Sequence, residues 1–142
     1  MIELSNIVVR HAGRVVLELP GLQFIRGKRY GLIGENGSGK TTLLRLLAGT
    51  LAPDEGEIRG VDHSQMGYLP QTPYAFSFTV LRNVEMGLGN LPEKTSIAQK
   101  ALRKVGLENF FSARGDKLSG GESQRMGLAR MIAVPHELLL LD

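Results

Sequence analysis

The chain has 142 residues, 42% of them apolar and 22% charged, which suits one packed domain or a large part of one. Its net charge of +3 suits an anionic ligand and is too small to argue for nucleic acid. There is no cysteine, which excludes disulfides and thiolate metal sites and fits a reducing compartment. The longest purely apolar run, Leu138–Leu141, falls far short of the ~20 residues of a membrane helix. The opening MIELSNIVVR shows no signal-peptide pattern.

In chain order, Glu3–Leu19 reads as two short strands, IELSNIVVR and RVVLEL, about a turn at Ala12-Gly13, with Pro20-Gly21 closing the unit. Lys28–Ile33 (KRYGLI), a short run bounded by glycine, predicts a strand. The following TTLLRLLAG predicts a helix: Leu43, Leu46 and Leu47 share a face, and Gly49 stands where a helix ends. PDEGEIRG reads as a turn into a short strand, and Met66–Leu69 (MGYL) as another, ending at Pro70-Gln71. From Val80 the spacing becomes helical in TVLRNVEMGL and TSIAQKALRKVGL. In the second, Ile97, Ala101, Leu102 and Val105 lie on one side and Lys100 and Lys104 on the other, so Phe78–Arg114 is expected as a small helical insert. Ser119–Ala133 predicts a further helix with Met126, Ala129, Ile132 and Ala133 on one face, ended by Pro135. Glu137–Leu141 (ELLLL) reads as a parallel strand buried on both sides.

Between the Lys28–Ile33 strand and the Leu43 helix lies GENGSGKTT, which matches G-x-x-x-x-G-K-[ST] in full and in the expected strand–loop–helix setting. A phosphate chain needs several N–H donors converging at close range. Gly34, Gly37 and Gly39 let backbone amides turn inward without a Cβ in the way, with Glu35, Asn36 and Ser38 completing the loop. The helix start adds unpaired N–H groups and the positive end of its dipole. Lys40 reaches the β- and γ-phosphates, Thr41 offers a hydroxyl to Mg2+, and Thr42 can bond the α-phosphate side. Downstream, LSGGESQR starts a helix in which Ser119 caps and Glu122, three residues on, completes a capping box. Gly120 and Gly121 strip side chains from that first turn, which suits a second anion site.

With these two motifs on the page, the sequence resembles the ATP-binding cassette (ABC) ATPases over its whole length. LSGGE stands for their LSGGQ signature, with Glu122 in place of glutamine. The resemblance implies an α/β P-loop NTPase fold with an N-terminal antiparallel β subdomain and a small helical subdomain. Residues 1–75 would be the nucleotide-binding core, 76–117 the helical subdomain, and 118–142 the signature helix and Walker B strand. YLPQ resembles the Q-loop, so Gln71 is expected at Mg2+ or the attacking water; out of context it would be a solvated turn residue. ELLLLD resembles Walker B, with Asp142 holding Mg2+ through water; alone it would read as a helix cap. His11 stands where the family has an aromatic on adenine, and an exposed turn residue is the equal alternative.

The resemblance further implies a Mg-dependent ATPase working as a head-to-tail dimer, in which Ser119, Gly120, Gly121 and Glu122 face the partner's ATP. It implies the energising subunit of a transporter, in the pattern of prokaryotic importers for oxyanions, metals or amino acids. Such a subunit is cytoplasmic on the inner face of the membrane, reaches the membrane only through permease subunits and has no direct nucleic-acid contact. A soluble cassette of translation or DNA repair, or an ATP-binding regulatory module, are the alternatives; the short Gln71–Leu118 gap without heptads favours the transporter. The family's glutamate after the Walker B aspartate, its D-loop and its switch histidine have no counterpart here. The chain is therefore expected to be a piece of a longer protein, with an incomplete central sheet, weak nucleotide binding and poor hydrolysis by itself.

Overall fold

The computed structural model describes all residues, 1–142. The chain divides into two compact units, Met1–Met66 together with Asp142, and Gly67–Leu141.

The first unit is built on an antiparallel hairpin. Strand β1 (Ile2–His11) turns through Ala12 and Gly13, both at positive φ, into β2 (Arg14–Phe24). Strand β3 (Glu55–Arg59) pairs with the other side of β1, giving the order β2-β1-β3. Leu4, Ile7, Val9 and Leu17 are buried. Pro20-Gly21 does not close the hairpin as expected; β2 runs through it to Phe24. Proline is tolerated because β2 is an edge strand and because the register passes from Ser5–Gly21 to Ile7–Leu19, leaving out Asn6 with its φ of 51°.

The same irregularity of β1 shapes β3. Gly56 has φ +87°, and a Cβ there would meet Asn6 O at 2.3 Å and Ser5 O at 2.4 Å. Both obstacles are backbone, so Gly56→Ala is expected to destabilise this unit by about 2 kcal/mol or more, read as a lower urea midpoint.

Helix α1 (Lys40–Leu47) buries Leu43, Leu44, Leu46 and Leu47. It ends as predicted: Gly49, at φ +68°, donates to Leu46 O, and Thr50 donates to Arg45 O. Lys28–Ile33 departs from prediction. It is not a strand, and Ile33 is 99% exposed. No strand of the chain pairs with this segment, so its amides have no ladder to join. Tyr30 is anchored edge-on to the Phe24 ring at 5.0 Å and accepts from the Ile25 N–H at 2.9 Å, and Lys28 N–H donates to Ile25 O at 3.3 Å.

The second unit packs three helices, α2 (Val80–Glu85), α3 (Lys94–Lys104) and α4 (Gly120–Ile132), around one apolar core. Val80 and Val84, Ala98, Ala101 and Leu102, Leu107, Met126 and Ala129 fill it, with Ile97 and Val105 packed at its edge. The predicted face of α4 needs one correction: Ile132 is exposed and Met131 is buried. Met131 reaches Gly67, where a Cβ would lie 2.8 Å from its Cγ. The helix is thus covered on a second side, which a single-face reading misses.

Strand β4 (Met66–Leu69) pairs with β5 (Leu138–Leu141) in a two-stranded sheet. Leu140 is buried, but Leu139 and Leu141 are 51% and 61% exposed. The expectation of a strand buried on both faces therefore fails. With a single strand as neighbour, β5 has one covered face and shows the alternation that goes with it.

Candidate functional site

The loop Gly34–Gly39 precedes α1 in the first unit. Gly37 and Gly39 have φ of 84° and 90°, a region L side chains rarely adopt. Gly39 is doubly constrained, since a Cβ would also meet Leu17 Cδ1 and Val16 O, each at 3.0 Å. Being glycine, the N-cap residue offers no side chain to the first amides of α1, and no acidic residue lies in that turn. A helix start leaves those N–H groups without intrahelical partners, and its dipole favours an anion.

Lys40 folds back over the loop. Its Nζ donates to Gly34 O at 2.9 Å and Glu35 O at 2.7 Å, with Ser38 Oγ at 3.5 Å. Ser38 N donates to Glu35 O at 3.2 Å, closing a turn around the exposed Asn36 and Gly37. The neighbouring Thr41 donates its hydroxyl to Asp142 Oδ1 at 2.8 Å. An ammonium, bare amides, a hydroxyl and a carboxylate thus meet at one helix end. Thr42 follows, half-buried, on the next position of α1. The Thr41–Asp142 pair offers hard oxygen atoms of the kind Mg2+ takes, so the residues present fit that ion.

The remaining predicted residues belong to other segments of the chain. His11 is exposed at the end of β1, opposite Arg14. Gln71 belongs to the second unit and is exposed; its carbonyl accepts from Gln124 Nε2 of α4. Ser119–Glu122 also belongs to the second unit and forms the predicted capping box in full. Ser119 donates to Glu122 Oε2 through its N–H at 2.8 Å and its hydroxyl at 2.7 Å. The Ser119 hydroxyl and backbone N–H hold the Glu122 carboxyl below the usual glutamate range. The cap's contribution is therefore fully present above the unfolded value and is lost as pH falls through the folded one. A Cβ built on Gly120 or Gly121 would meet nothing within 4 Å, so that first turn is open.

Sequence reasoning missed one polar group. Asn83, fully buried between Val80 and Val84, accepts at Oδ1 from Phe76 N–H and Arg130 Nη2, both at 2.9 Å. Its Nδ2 donates to the carbonyls of Phe76, Phe78 and Thr79. The signal available was a polar residue at a core spacing of α2, with no hint of its partner.

An uncapped helix start preceded by left-handed glycines and overhung by a lysine defines a P-loop nucleotide-binding domain. Residues 18–142 match the ABC transporter family, and the chain belongs to that family, within its ATP-binding domain. It is 36% identical over 144 residues to the zinc import ATP-binding protein ZnuC of Chelativorans sp. (strain BNC1), covering 100% of this chain and 50% of that protein. It is 36% identical over 151 residues to the tungstate uptake system ATP-binding protein TupC of Peptoclostridium acidaminophilum, covering 99% and 71%. Among solved structures, cbiO1 from Clostridium perfringens, part of the transporter complex cbiONQ, superposes with a TM-score of 0.78 at 25% identity, covering 99% of this chain and 64% of that one. A bacterial Atm1-family ABC exporter with ATP bound superposes at 0.85 with 27% identity, covering 99% and 28%. The chain spans about half the length of the zinc-import relatives it matches.

Proposed function

We propose that this chain is the nucleotide-binding part of a Mg-dependent ATPase that energises an ABC importer. The observation that carries the reading is the convergence of Lys40, Thr41 and Asp142 at the uncapped start of α1. The names of the related proteins, energising zinc and tungstate uptake, support import. The cargo itself would be chosen by other subunits.

In this reading Gly34, Glu35, Asn36, Gly37, Ser38 and Gly39 wrap the phosphate chain, and their amides take its oxygen atoms. Lys40 exchanges its loop carbonyls for the β- and γ-phosphates, and Thr42 bonds the α-phosphate side. His11 stacks on adenine. Thr41, and Asp142 through water, would hold Mg2+, which when bound would neutralise charge on the phosphates; Gln71 would contact that ion or the attacking water. Ser119, Gly120, Gly121 and Glu122 face the nucleotide of a second cassette in a head-to-tail dimer. The division into a core at 1–75, a helical subdomain at 76–117 and a signature–Walker B segment at 118–142 belongs to the same proposal. The helical part would engage permease subunits, placing the protein on the cytoplasmic face of the membrane. No helix is long and apolar enough to cross it.

Nucleotide shared between two cassettes makes dimerisation depend on it. Light scattering of the full-length protein is expected to show a doubled mass with Mg2+ and the slowly hydrolysed analogue ATPγS, and the single mass with ADP. An unchanged mass at saturating ATPγS would overturn the head-to-tail reading.

A further inference from the structure

We infer that the exposed face of α3 is an electrostatic docking surface for the anionic headgroups of a lipid membrane, touched directly and not only through permease subunits. Neither nucleotide nor dimer is needed for such contact, which goes beyond the proposed function. Lys100, Arg103 and Lys104 are exposed, share one side of α3 and make no ion pair. Cations elsewhere in the same unit find acceptors. Arg82 meets Glu85 at 3.7 Å, Arg114 meets Asp116 at 2.6 Å, and Arg130 donates to the carbonyls of Asn83 and Tyr74. Arg103 lies over the Phe111 ring at 5.6 Å, a contact that supports its guanidinium and leaves the N–H edge open to an anion.

Like charges at these spacings destabilise a helix. The helix dipole offsets that for Arg103 and Lys104, which lie in the last turn, but Lys100 precedes it. Nor does the dipole explain why the exposed residues of α3, Thr95, Ser96, Lys100, Arg103 and Lys104, include no acid. Glu93 and Glu108 flank the helix without pairing with these cations. The missing negative charge is one the chain leaves to its surroundings.

A protein partner needs an apolar or aromatic anchor at the centre of its interface, and none of those exposed residues is apolar. A membrane needs only summed charge. Each Lys or Arg close to an anionic leaflet strengthens binding about fivefold, so three give about a hundredfold. The family to which the chain belongs, ABC transporters, works at such a surface.

Full-length protein, without permease or nucleotide, is sedimented with vesicles of phosphatidylcholine and with vesicles in which about one third is phosphatidylglycerol. At low salt the parent is expected to bind the anionic vesicles about a hundredfold more tightly than K100Q/R103Q/K104Q, with the gap closing near ~1 M salt. Glutamine keeps the helix propensity, so the melting temperature should stay close to the parent's. K100R/R103K/K104R, which preserves the charge, should bind as the parent does. R14Q/K28Q/R29Q, which takes the same charge from the first unit, should keep most of the binding.

Equal binding by the parent and K100Q/R103Q/K104Q overturns the membrane contact. An equal loss in R14Q/K28Q/R29Q does so too, because net charge would then be the cause. A parent that leaves anionic vesicles unbound, or binds neutral ones as well, also overturns it. If those same three cations take up polyglutamate instead, α3 meets an acidic protein and the membrane contact falls. Titration of the same samples with Mg-ATP reads nucleotide binding separately, so these failures are distinguishable from a failure of the proposed function.

Discussion

Lys40→Ala is expected to weaken ATP binding by about a hundredfold while leaving the unfolding midpoint almost unchanged. In the free chain the ammonium donates to Gly34 O and Glu35 O. Both residues are exposed, so water replaces the lost bonds at little cost in stability. In the proposed bound state the same nitrogen would make charge-assisted bonds to phosphate, each contributing about 1.5–3 kcal/mol. The difference falls on binding alone. Isothermal titration with Mg-ATP, beside a thermal melt of the same sample, reads both quantities. Unaltered affinity would remove Lys40 from the site, and a collapsed melt would make it a structural residue instead.

Asn83→Ala is expected to act the opposite way, destabilising the helical unit by about 3 kcal/mol or more. Its side chain satisfies Phe76 N–H, the carbonyls of Phe76, Phe78 and Thr79, and Arg130 Nη2. Arg130 adds bonds from Nε to Asn83 O and from Nη1 to Tyr74 O, each at 3.0 Å, and lies over the Phe76 ring. Truncation takes the partner from Phe76 N–H, Phe76 O and Arg130 Nη2, all part-buried, while Phe78 O keeps Gly115 N–H and Thr79 O keeps the Asn83 backbone N–H; the penalty for each lost partner is about 1–3 kcal/mol. Gly115 packs so closely on Asn83 that a Cβ there would lie 2.6 Å from Nδ2, so the cavity has little means to rearrange. Urea unfolding followed by circular dichroism measures the loss. Asn83→Asp should not rescue it: the carboxylate would pair with Arg130 but face three carbonyls with no hydrogen to give. A cost below about 1 kcal/mol for both variants would show that the aromatic segment holds itself.

Together these two residues separate the functions of the chain's two units. Lys40 sits where backbone is exposed, and in the proposed reading charge decides binding there. Asn83 sits where backbone is buried and satisfaction of polar groups decides folding. The segment Tyr74–Phe78, with three rings in successive contact, is held by Asn83 and Arg130 rather than by secondary structure of its own.

By itself the sequence determined what short-range chemistry settles. Gly37 and Gly39 mark left-handed backbone, Lys40 follows at the helix start, and Ser119 with Glu122 makes a cap within one turn. Each needs only neighbours a few residues away. Only the tertiary structure decided the long-range partners. Lys28–Ile33 carries strand-like residues, yet a strand is a pairing, and none of the strands of residues 1–142 pairs with it. The four leucines of β5 looked equally buried, until its single neighbour β4 left two of them exposed. Asn83 and Arg130, 47 residues apart, and Thr41 and Asp142, 101 residues apart, find each other across long stretches of chain. No local propensity encodes such meetings, because their free energy exists only once the intervening chain is folded.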